Sequence, residues 1–294
     1  MLLLVVVFSI KWTLPNQSKW KYSNPKIIRY NEHSFSDVIV YNDSNDSDID
    51  ARYVSKSKIL YSTKRNERIP IINRLKQEAR IMHTLSQLNP NVFVIMKGWE
   101  ITKRRINVIM EYCESDAFQM IELSDLETLK DPFVFMGPVI EAVYIMHTNG
   151  VAHGDIKPEN VFYCNKKFKL GDFDFSTHLR QRSGYIGTIE FMAFEVRRTG
   201  TIYLPYKTFP ADIFALGATL GRLYDIMSPT TRNKRYFACY DPLDSTTWSI
   251  VGNSKFNLSE LKLKLFVQLI QKMTACKPEN RPTIDLIIID PFFA

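Results

Sequence analysis

The chain has 294 residues, 45% of them apolar, and a formal net charge of +7 from 38 basic and 31 acidic residues. This length and apolar content can supply a sizeable core, which excludes a disordered chain and predicts a globular protein with two lobes or two domains. The basic residues are scattered along the chain, so the charge predicts a solvated surface and no specific nucleic-acid partner.

The four cysteines lie far apart and include no CxxC pair; they are Cys113, Cys164, Cys239 and Cys276. This spacing predicts neither a zinc site nor a disulfide framework. A protein whose cysteines stay reduced belongs to the cytosol or the nucleus, so we expect a cytoplasmic or nuclear location.

The first ten residues, MLLLVVVFSI, form an apolar run. The run is far shorter than the roughly 20 residues that span a bilayer, and it lacks the basic flank and the small-residue cleavage site of a signal peptide. We expect a buried N-terminal strand and no membrane association; secretion or membrane anchoring is the alternative.

Sequence patterns in the first third of the chain predict a sheet followed by a helix. Residues 25–54 alternate in the manner of strands, and the polar tract 41–50 indicates an exposed connection between two of them. Residues 70–88 carry apolar side chains every three or four positions, which predicts a helix with one apolar face. Asn89-Pro90-Asn91 ends it.

Two strand-like runs follow, VFVIMKGW and INVIMEYC, joined by the basic turn TKRR. Beyond Glu114 the texture is mainly helical, with periodic segments near residues 133–147, 211–227 and 261–273. The prediction is an α+β, two-lobed fold. It has an N-terminal extension (1–24), a small sheet-rich N-lobe with a hinge (25–113) and a larger helical C-lobe (114–294). We expect a ligand in the crevice between the lobes.

The stretch HGDIKPEN, residues 153–160, concentrates polar groups around a proline that forbids a regular helix. Phosphoryl transfer needs such groups, because its catalysis consists of positioning and charge neutralisation. Asp155 can accept a hydroxyl proton, Lys157 can steady the transferred phosphate, and Asn160 offers an oxygen to a magnesium ion. Downstream, Asp172 in KLGDFDFS offers a carboxylate to the same metal.

HGDIKPEN is followed in order by GDFD, GTIEFMAFE, ADIFALG and RPT. This series resembles the signature set of the eukaryotic protein kinases, H-R-D-x-K-x-x-N, D-F-G and A-P-E. The resemblance runs from about residue 27 to residue 293. Taken singly, each motif has a structural explanation; several motifs in the same order favour a protein kinase-like fold.

The resemblance implies an ATP-dependent protein kinase that uses Mg²⁺ and acts on a protein substrate, with catalytic Asp155 and Lys157 and metal ligands Asn160 and Asp172. It places Val38 and Val54 above the adenine, Phe162 beneath it, Met110 at the gatekeeper position and the backbone of Glu111 to Cys113 against its edge. It also assigns Lys56 to the α- and β-phosphates and Glu78 to that lysine. As scaffold it implies Asp212 under the catalytic loop and an ion pair between Glu195 and Arg281.

Three departures from the family pattern affect the phosphate-binding and catalytic segments. The phosphate-covering loop normally carries three glycines, whereas residues 31–38 read NEHSFSDV. Glycine lets backbone approach a phosphate closely, so we expect the loop to lie further off or in another shape. Gly154 replaces the arginine that receives an activation-loop phosphate, so phosphorylation of Ser183 or Tyr185 is not expected to switch activity by that route. Asp174 replaces the glycine of D-F-G.

Three functions follow from this pattern, an active protein kinase, a pseudokinase scaffold that binds nucleotide weakly or not at all, and a kinase-fold enzyme acting on a small-molecule hydroxyl. The catalytic residues are intact, which favours the first. The segment 187–195 resembles a complete peptide-positioning element, which argues against the third.

Several local details resemble the Wee/Myt kinases, which inhibit cyclin-dependent kinases. They are DIKPEN with Val161-Phe162, GTIEFMAFEV, PADIFALGATL, Trp99, the hinge EYC and Trp248. Thr188 departs from that group and resembles ordinary Ser/Thr kinases. Thr188 and Lys157 imply a Ser/Thr-type enzyme, whereas the Wee/Myt resemblance implies Tyr or dual specificity as the alternative and a cyclin-dependent kinase as a candidate substrate. We expect a monomer.

Overall fold

A computed structural model of the chain describes residues 14–17, 23–31, 36–42, 52–60, 65–103, 105–122, 126–178, 187–198, 209–227 and 255–294, with backbone alone for 23–31 and 36–42. The apolar residues 1–10, the loop residues 32–35, Ser183, Tyr185 and Trp248 lie outside the described residues. The chain divides into two compact units. The first comprises Met1–Pro90 and Ile95–Glu111, and the second Asn91–Val94 and Tyr112–Ala294.

The first unit is a five-stranded sheet with one long helix. Its strands are β1 (Ser23–Asn31), β2 (Ser36–Asn42), β3 (Arg52–Ile59), β4 (Met96–Ile101) and β5 (Arg105–Glu111), and its helix is α1 (Arg65–Leu88). The strands run in the order β1-β2-β3-β5-β4, with every neighbouring pair antiparallel. This order places β3 and β5 in the interior of the sheet, where both edges of each strand are held by a neighbour.

The helix α1 confirms the predicted apolar face, since Leu75, Ala79, Met82 and Leu85 are buried. It begins at Arg65, five residues before the predicted start at Pro70. The guanidinium of Arg68 explains part of the difference, because it donates to the carbonyl oxygens of Leu60 and Lys103 at 3.1 and 2.9 Å. These two bonds anchor a first turn that carries no apolar periodicity.

The predicted strand VFVIMKGW is wrong at its start. The strand β4 begins at Met96, and residues 92–94 at the start of the run belong to the second unit. There the N–H of Val94 donates to Leu170, and the N–H of Leu170 donates to Val92, at 3.1 and 2.8 Å. A continuous apolar run predicts burial, but it does not indicate which backbone partner takes each half of the run.

The second unit is mainly helical. Its helices are α2 (Ala117–Glu122), α3 (Leu126–Leu129), α4 (Pro132–Thr148), α5 (Phe194–Arg198), α6 (Phe209–Met227), α7 (Glu260–Met273) and α8 (Ile284–Ile288). Short strands complete it, β6 (Ser115–Asp116), β7 (Val151–Ala152), β8 (Val161–Cys164), β9 (Lys167–Leu170) and β10 (Thr177–His178). The three long helices confirm the three predicted helical segments. No helix in the described part of the chain is long and apolar enough to cross a membrane.

A disulfide joins Cys113 to Cys164, and Cys276 is disulfide-bonded as well. The expectation that the cysteines stay reduced is therefore wrong. The 51 residues between Cys113 and Cys164 conceal their proximity, which arises because β6 pairs with β8 and brings the two cysteines to one end of that ladder. The expected cytoplasmic or nuclear location rested on reduced cysteines and loses that support.

Close packing of α6 on α7 depends on Gly217. A Cβ atom at this position would lie 2.7 Å from the Cβ of Met273 and 2.9 Å from the Cγ2 of Thr274. Neither distance is compatible with normal van der Waals contact, so the two helices approach each other only because residue 217 has no side chain.

We expect Gly217→Ala to lower the free energy of unfolding by about 1–3 kcal/mol, because overpacking forces the helices apart. Gly137→Ala is the matched control, since a Cβ at Gly137 in α4 meets nothing within 4 Å. It should change stability by less than about 1 kcal/mol, because the helix preference of alanine and crowding by Pro138 oppose each other. Urea unfolding measures both; equal stabilities would contradict the packing argument.

Candidate active site

In the first unit, Lys56 and Glu78 form the predicted ion pair. The Nζ of Lys56 donates to Oε1 of Glu78 at 2.8 Å, and the glutamate side chain is only 3% exposed. Lys56 lies on the interior strand β3 and Glu78 on α1. Because the carboxylate is buried, it holds the ammonium group in one place far more firmly than a surface partner could.

The predicted adenine-contacting residues of this unit sit on neighbouring strands. Val54 on β3 is the cross-strand partner of Met110 on β5, and Val38 on β2 is the partner of Lys56. Glu111 ends β5 and is held twice by Ile95: its N–H donates to the Ile95 carbonyl at 2.9 Å, and its carboxylate accepts the Ile95 N–H at 2.7 Å. The last residue of β5 is therefore fixed before the chain enters the second unit.

In the second unit, the buried carboxylate of Asp212 holds the catalytic loop, as predicted. Its two oxygens accept the consecutive backbone N–H groups of His153 and Gly154, each at 2.8 Å, and Nε2 of His147 lies 3.0 Å from Oδ2. Burial raises the pKa of Asp212, but His147 and the Gly154 N–H together lower it by more. The pKa of Asp212 therefore lies below its usual value. The loop thus rests on an ionised carboxylate.

The side chain of His153 fixes the loop from the other side. Its Nδ1 accepts the N–H of Asp155 at 3.2 Å, which requires an unprotonated Nδ1, and its Nε2 lies 3.1 Å from the carbonyl of Gly171. Burial lowers the pKa of His153 against the attraction of Asp212, which agrees with a neutral ring. One imidazole therefore ties the segment of Asp155 to the segment of Asp172.

Asp155, Lys157 and Thr188 form a closed triangle of polar contacts. Oδ1 of Asp155 accepts the N–H of Thr188 at 2.7 Å, and Oδ2 lies 2.9 Å from Nζ of Lys157. The same Nζ donates to Oγ1 of Thr188 at 2.6 Å. Asp155 is 6% exposed, so these donors set its orientation. The prediction that Asp155 and Lys157 point the same way agrees with this geometry.

A backbone hydrogen bond joins the segments that carry the two predicted metal ligands, Asn160 and Asp172. The N–H of Gly171, the residue before Asp172, donates to the carbonyl of Asn160 at 3.0 Å. The Nδ2 of Asn160 donates to the carbonyl of Asp155 at 2.8 Å, which leaves its amide oxygen out of that bond. An amide oxygen and a carboxylate are hard donors of the kind that suit Mg²⁺ held partly by phosphates, so these residues fit the ion.

The aspartate that replaces the glycine of D-F-G does not need a left-handed backbone. The positive φ in this turn, 58°, falls at Asp172, and Asp174 follows inside the 3₁₀ turn Phe173–Phe175. The N–H of Asp174 points at Oδ1 of Asp172 at 3.5 Å. Phe173 itself is buried between Phe93 and His153. The turn therefore accommodates a side chain at position 174 without backbone strain.

Gly171, Gly187 and His147 also contribute to the site, although no sequence pattern predicted a role for them. A Cβ at Gly171 would lie 2.9 Å from the Phe162 ring, and one at Gly187, where φ is 112°, would lie 3.0 Å from the Gly154 carbonyl. Both glycines stand inside the quoted motifs KLGDFDFS and GTIEFMAFE, which was an available signal. His147 offered none, because its role depends on a residue 65 positions away.

The Glu195–Arg281 ion pair is confirmed. The guanidinium of Arg281 binds both carboxylate oxygens of Glu195, at 2.7 and 2.8 Å. It also donates to the carbonyls of Ala275 and Pro210. A bidentate pair with further backbone bonds is rigid, so it links α5, α6 and the segment after α7.

A buried aspartate beside a lysine, oxygen donors suited to Mg²⁺ and a lysine–glutamate pair are the groups that a phosphotransferase of the protein kinase type uses. Residues 34–293 match the protein kinase domain family, and the chain belongs to that family. The chain is similar to the serine/threonine-protein kinase WNG1 of Toxoplasma gondii, with 28% identity over 222 residues. That match covers 75% of this chain and 29% of the relative.

Two further relatives carry Wee names. One is the membrane-associated tyrosine- and threonine-specific cdc2-inhibitory kinase wee-1.3 of Caenorhabditis briggsae, 30% identical over 217 residues, 70% of this chain and 29% of the relative. The other is the Wee1-like protein kinase of Arabidopsis thaliana, 24% identical over 248 residues, 80% of this chain and 44% of the relative. The chain thus spans less than half the length of each of these three relatives.

We expect Asp212→Asn to lower the free energy of unfolding by about 2–4 kcal/mol, because an amide leaves one buried N–H facing an NH₂ group. The lowered pKa of Asp212 means that its contribution is present above the ordinary aspartate pKa and is lost as the pH falls through the folded value.

The stability difference from wild type should therefore persist from about pH 8 to pH 5 and narrow below about pH 4. Denaturant unfolding across this range measures it. Asp285→Asn is the matched control, since Asp285 is exposed in the first turn of α8. A difference that stays the same at every pH would contradict the role of the charge.

Proposed function

We propose that the chain is an active protein kinase that transfers the γ-phosphate of ATP to a serine or threonine hydroxyl of a protein. The triangle of Asp155, Lys157 and Thr188 is the observation that supports this proposal best. A carboxylate whose two oxygens are oriented by separate donors is prepared to receive a hydroxyl, and preorganisation of this kind supplies most of the catalysis in phosphoryl transfer.

A small set of side chains would carry out the proposed reaction, each with its own role. Asp155 orients the attacking hydroxyl and accepts its proton, and Lys157 steadies the transferred phosphate. Lys56, held by Glu78, binds the α- and β-phosphates. Mg²⁺, bound by Asn160 and Asp172, would neutralise the phosphate charge.

Thr188 supports serine or threonine as the acceptor. Its hydroxyl accepts from Lys157 and its N–H donates to Asp155, so it closes the catalytic loop onto the segment that follows Gly187. This threonine is the feature that resembles ordinary Ser/Thr kinases, whereas the Wee/Myt group has an acidic residue at the matching position. Tyrosine or dual specificity is the other outcome that the acceptor analysis must distinguish.

A cyclin-dependent kinase is the substrate that we propose to test first. The Wee-like motifs support it, as does similarity to two relatives with Wee names, one of them named as a cdc2-inhibitory kinase.

A pseudokinase is the second candidate function, and one observation favours it: the stretch NEHSFSDV contains no glycine. Glycine in a phosphate-covering loop permits close backbone approach at no steric cost, so its loss weakens nucleotide binding first. A pseudokinase would bind nucleotide without turnover, or not bind it.

The decisive experiment compares wild type with Asp155→Asn, using γ-labelled ATP, Mg²⁺ and a mixed protein substrate, followed by identification of the labelled amino acid. We expect Asp155→Asn to reduce transfer at least about 100-fold, because general-base catalysis contributes that much. The exposed Asp285→Asn should transfer phosphate at the wild-type rate. Label that does not depend on Asp155, or no label with Mg²⁺ or Mn²⁺, would refute the proposal. Phosphotyrosine would move the assignment toward the Wee type.

Gly187→Ala should lower kcat/KM for phosphoryl transfer by about tenfold or more, because small displacements of a catalytic group are costly. A Cβ there would lie 3.0 Å from the Gly154 carbonyl and 3.5 Å from Oδ1 of Asp155. Gly150→Ala is the matched control, since Gly150 also has a positive φ, 71°, but its Cβ would meet nothing within 4 Å. Both variants carry backbone strain, so equal activities would show that strain alone acts.

A further inference from the structure

The disulfide between Cys113 and Cys164 joins two segments that the protein kinase resemblance places against the adenine. Cys113 lies in the hinge segment, two residues after Glu111, and Cys164 lies two residues after Phe162 on β8. Cys164 is fully buried and Cys113 is half-buried. The bond is thus internal to the second unit and stands beside the backbone and the ring expected to contact the base.

The backbone pairing that accompanies this disulfide is short. The strand β6 has only two residues, which pair with Tyr163 and Phe162 of β8, and the N–H of Glu114 donates to the Tyr163 carbonyl at 2.9 Å. The carboxylate of Glu114 accepts the N–H of Asn165 at 3.1 Å. A ladder of this length is marginal in water, so a covalent link at its end removes open arrangements that the hydrogen bonds alone would allow.

The strand β8 also contacts the segment that carries the predicted metal ligand Asp172. The Phe162 ring lies so close to Gly171 that a Cβ there would stand 2.9 Å from it. Gly171 precedes Asp172 and donates to the carbonyl of Asn160. A displacement of β8 would therefore move the Phe162 ring, the proposed floor of the adenine site, out of its close contact with Gly171.

We propose that Cys113 and Cys164 are positioning residues whose disulfide holds the hinge segment and Phe162 in the arrangement that binds ATP. Reduction of this bond lowers nucleotide affinity and leaves the arrangement of Asp155, Lys157 and Thr188 in place. The inference rests on the proposed function for the identity of the nucleotide.

Formation of the bond from two thiols releases two protons and two electrons. A disulfide co-reactant such as oxidised glutathione takes up both by thiol–disulfide exchange and becomes two thiols. A bond of this kind persists in oxidising compartments.

The experiment uses Cys239→Ser/Cys276→Ser, in which Cys113 and Cys164 are the only remaining cysteines. Peptide mapping by mass spectrometry without reduction should find these two linked. In buffers set by reduced and oxidised glutathione, reduction should raise the KM and Kd for ATP by about fivefold or more, with kcat changed less than about twofold, and reoxidation should restore both. A merely structural role would lower the active fraction and hence kcat, leaving KM unchanged.

The control adds Cys113→Ala/Cys164→Ala in the same background. It should resemble the reduced protein and show no response to glutathione. If the alanine pair does not fold, the reversible titration of the linked protein tests the proposal alone, because it compares one protein with itself. If the serine background does not fold, wild type in the same buffers, with each linkage followed by mass spectrometry, provides the comparison.

Three results would overturn the inference: unlinked cysteines in oxidised protein, equal ATP affinity in the two redox states, or no ATP binding by the linked protein. Failure of the proposed function looks different. In that case the linked protein binds ATP in a redox-dependent way, measured by displacement of a fluorescent nucleotide, while no Asp155-dependent transfer occurs.

Discussion

A single buried carboxylate, that of Asp212, fixes the loop that carries Asp155. Two consecutive backbone N–H groups, those of His153 and Gly154, point at its two oxygens. Buried N–H groups need acceptors, and an ionised carboxylate can satisfy both at once. This constraint fixes the backbone immediately before Asp155, and His147 helps to keep the carboxylate ionised. The position of Asp155 thus follows from a contact that Asp155 does not make.

The other contacts that position Asp155 come from the neighbouring His153 ring and from two glycines, Gly171 and Gly187, which lack side chains. The His153 ring reaches both the N–H of Asp155 and the carbonyl of Gly171, and Gly171 has room beside Phe162 only because it lacks a Cβ. Gly187 approaches the Gly154 carbonyl in the same way. Side chains held by backbone contacts and close packing are preorganised, which is what the proposed phosphoryl transfer requires.

The sequence predicted the residues whose roles are local in the chain. Asp155, Lys157 and Asn160 lie within six positions of one another, so a short motif sufficed to propose them, and the three long helices followed from their apolar periodicity. The distant partners Asp212, Glu78 and Arg281 were predicted only through the family resemblance, and prediction failed where no motif marks a distant partner. The Cys113–Cys164 bond depends on strand pairing across 51 residues, and the separation of Val92–Val94 from β4 depends on Leu170. Apolar periodicity predicts burial and the type of element, but it does not identify which distant residue an element contacts.

The loss of glycines from the phosphate-covering loop and the intact catalytic loop act on different quantities. Loop glycines contribute to how closely backbone can approach a phosphate, and so to affinity and alignment. In the proposed function Asp155, Lys157 and Thr188 contribute to the transfer step, and they are ordered by contacts within the second unit. Where the loop contributes less to nucleotide affinity, another constraint can offset the loss by lowering the entropy cost of binding the nucleotide. The proposed disulfide constraint beside the hinge is of this kind. The disulfide and the missing glycines would therefore act in opposite directions on the free energy of nucleotide binding.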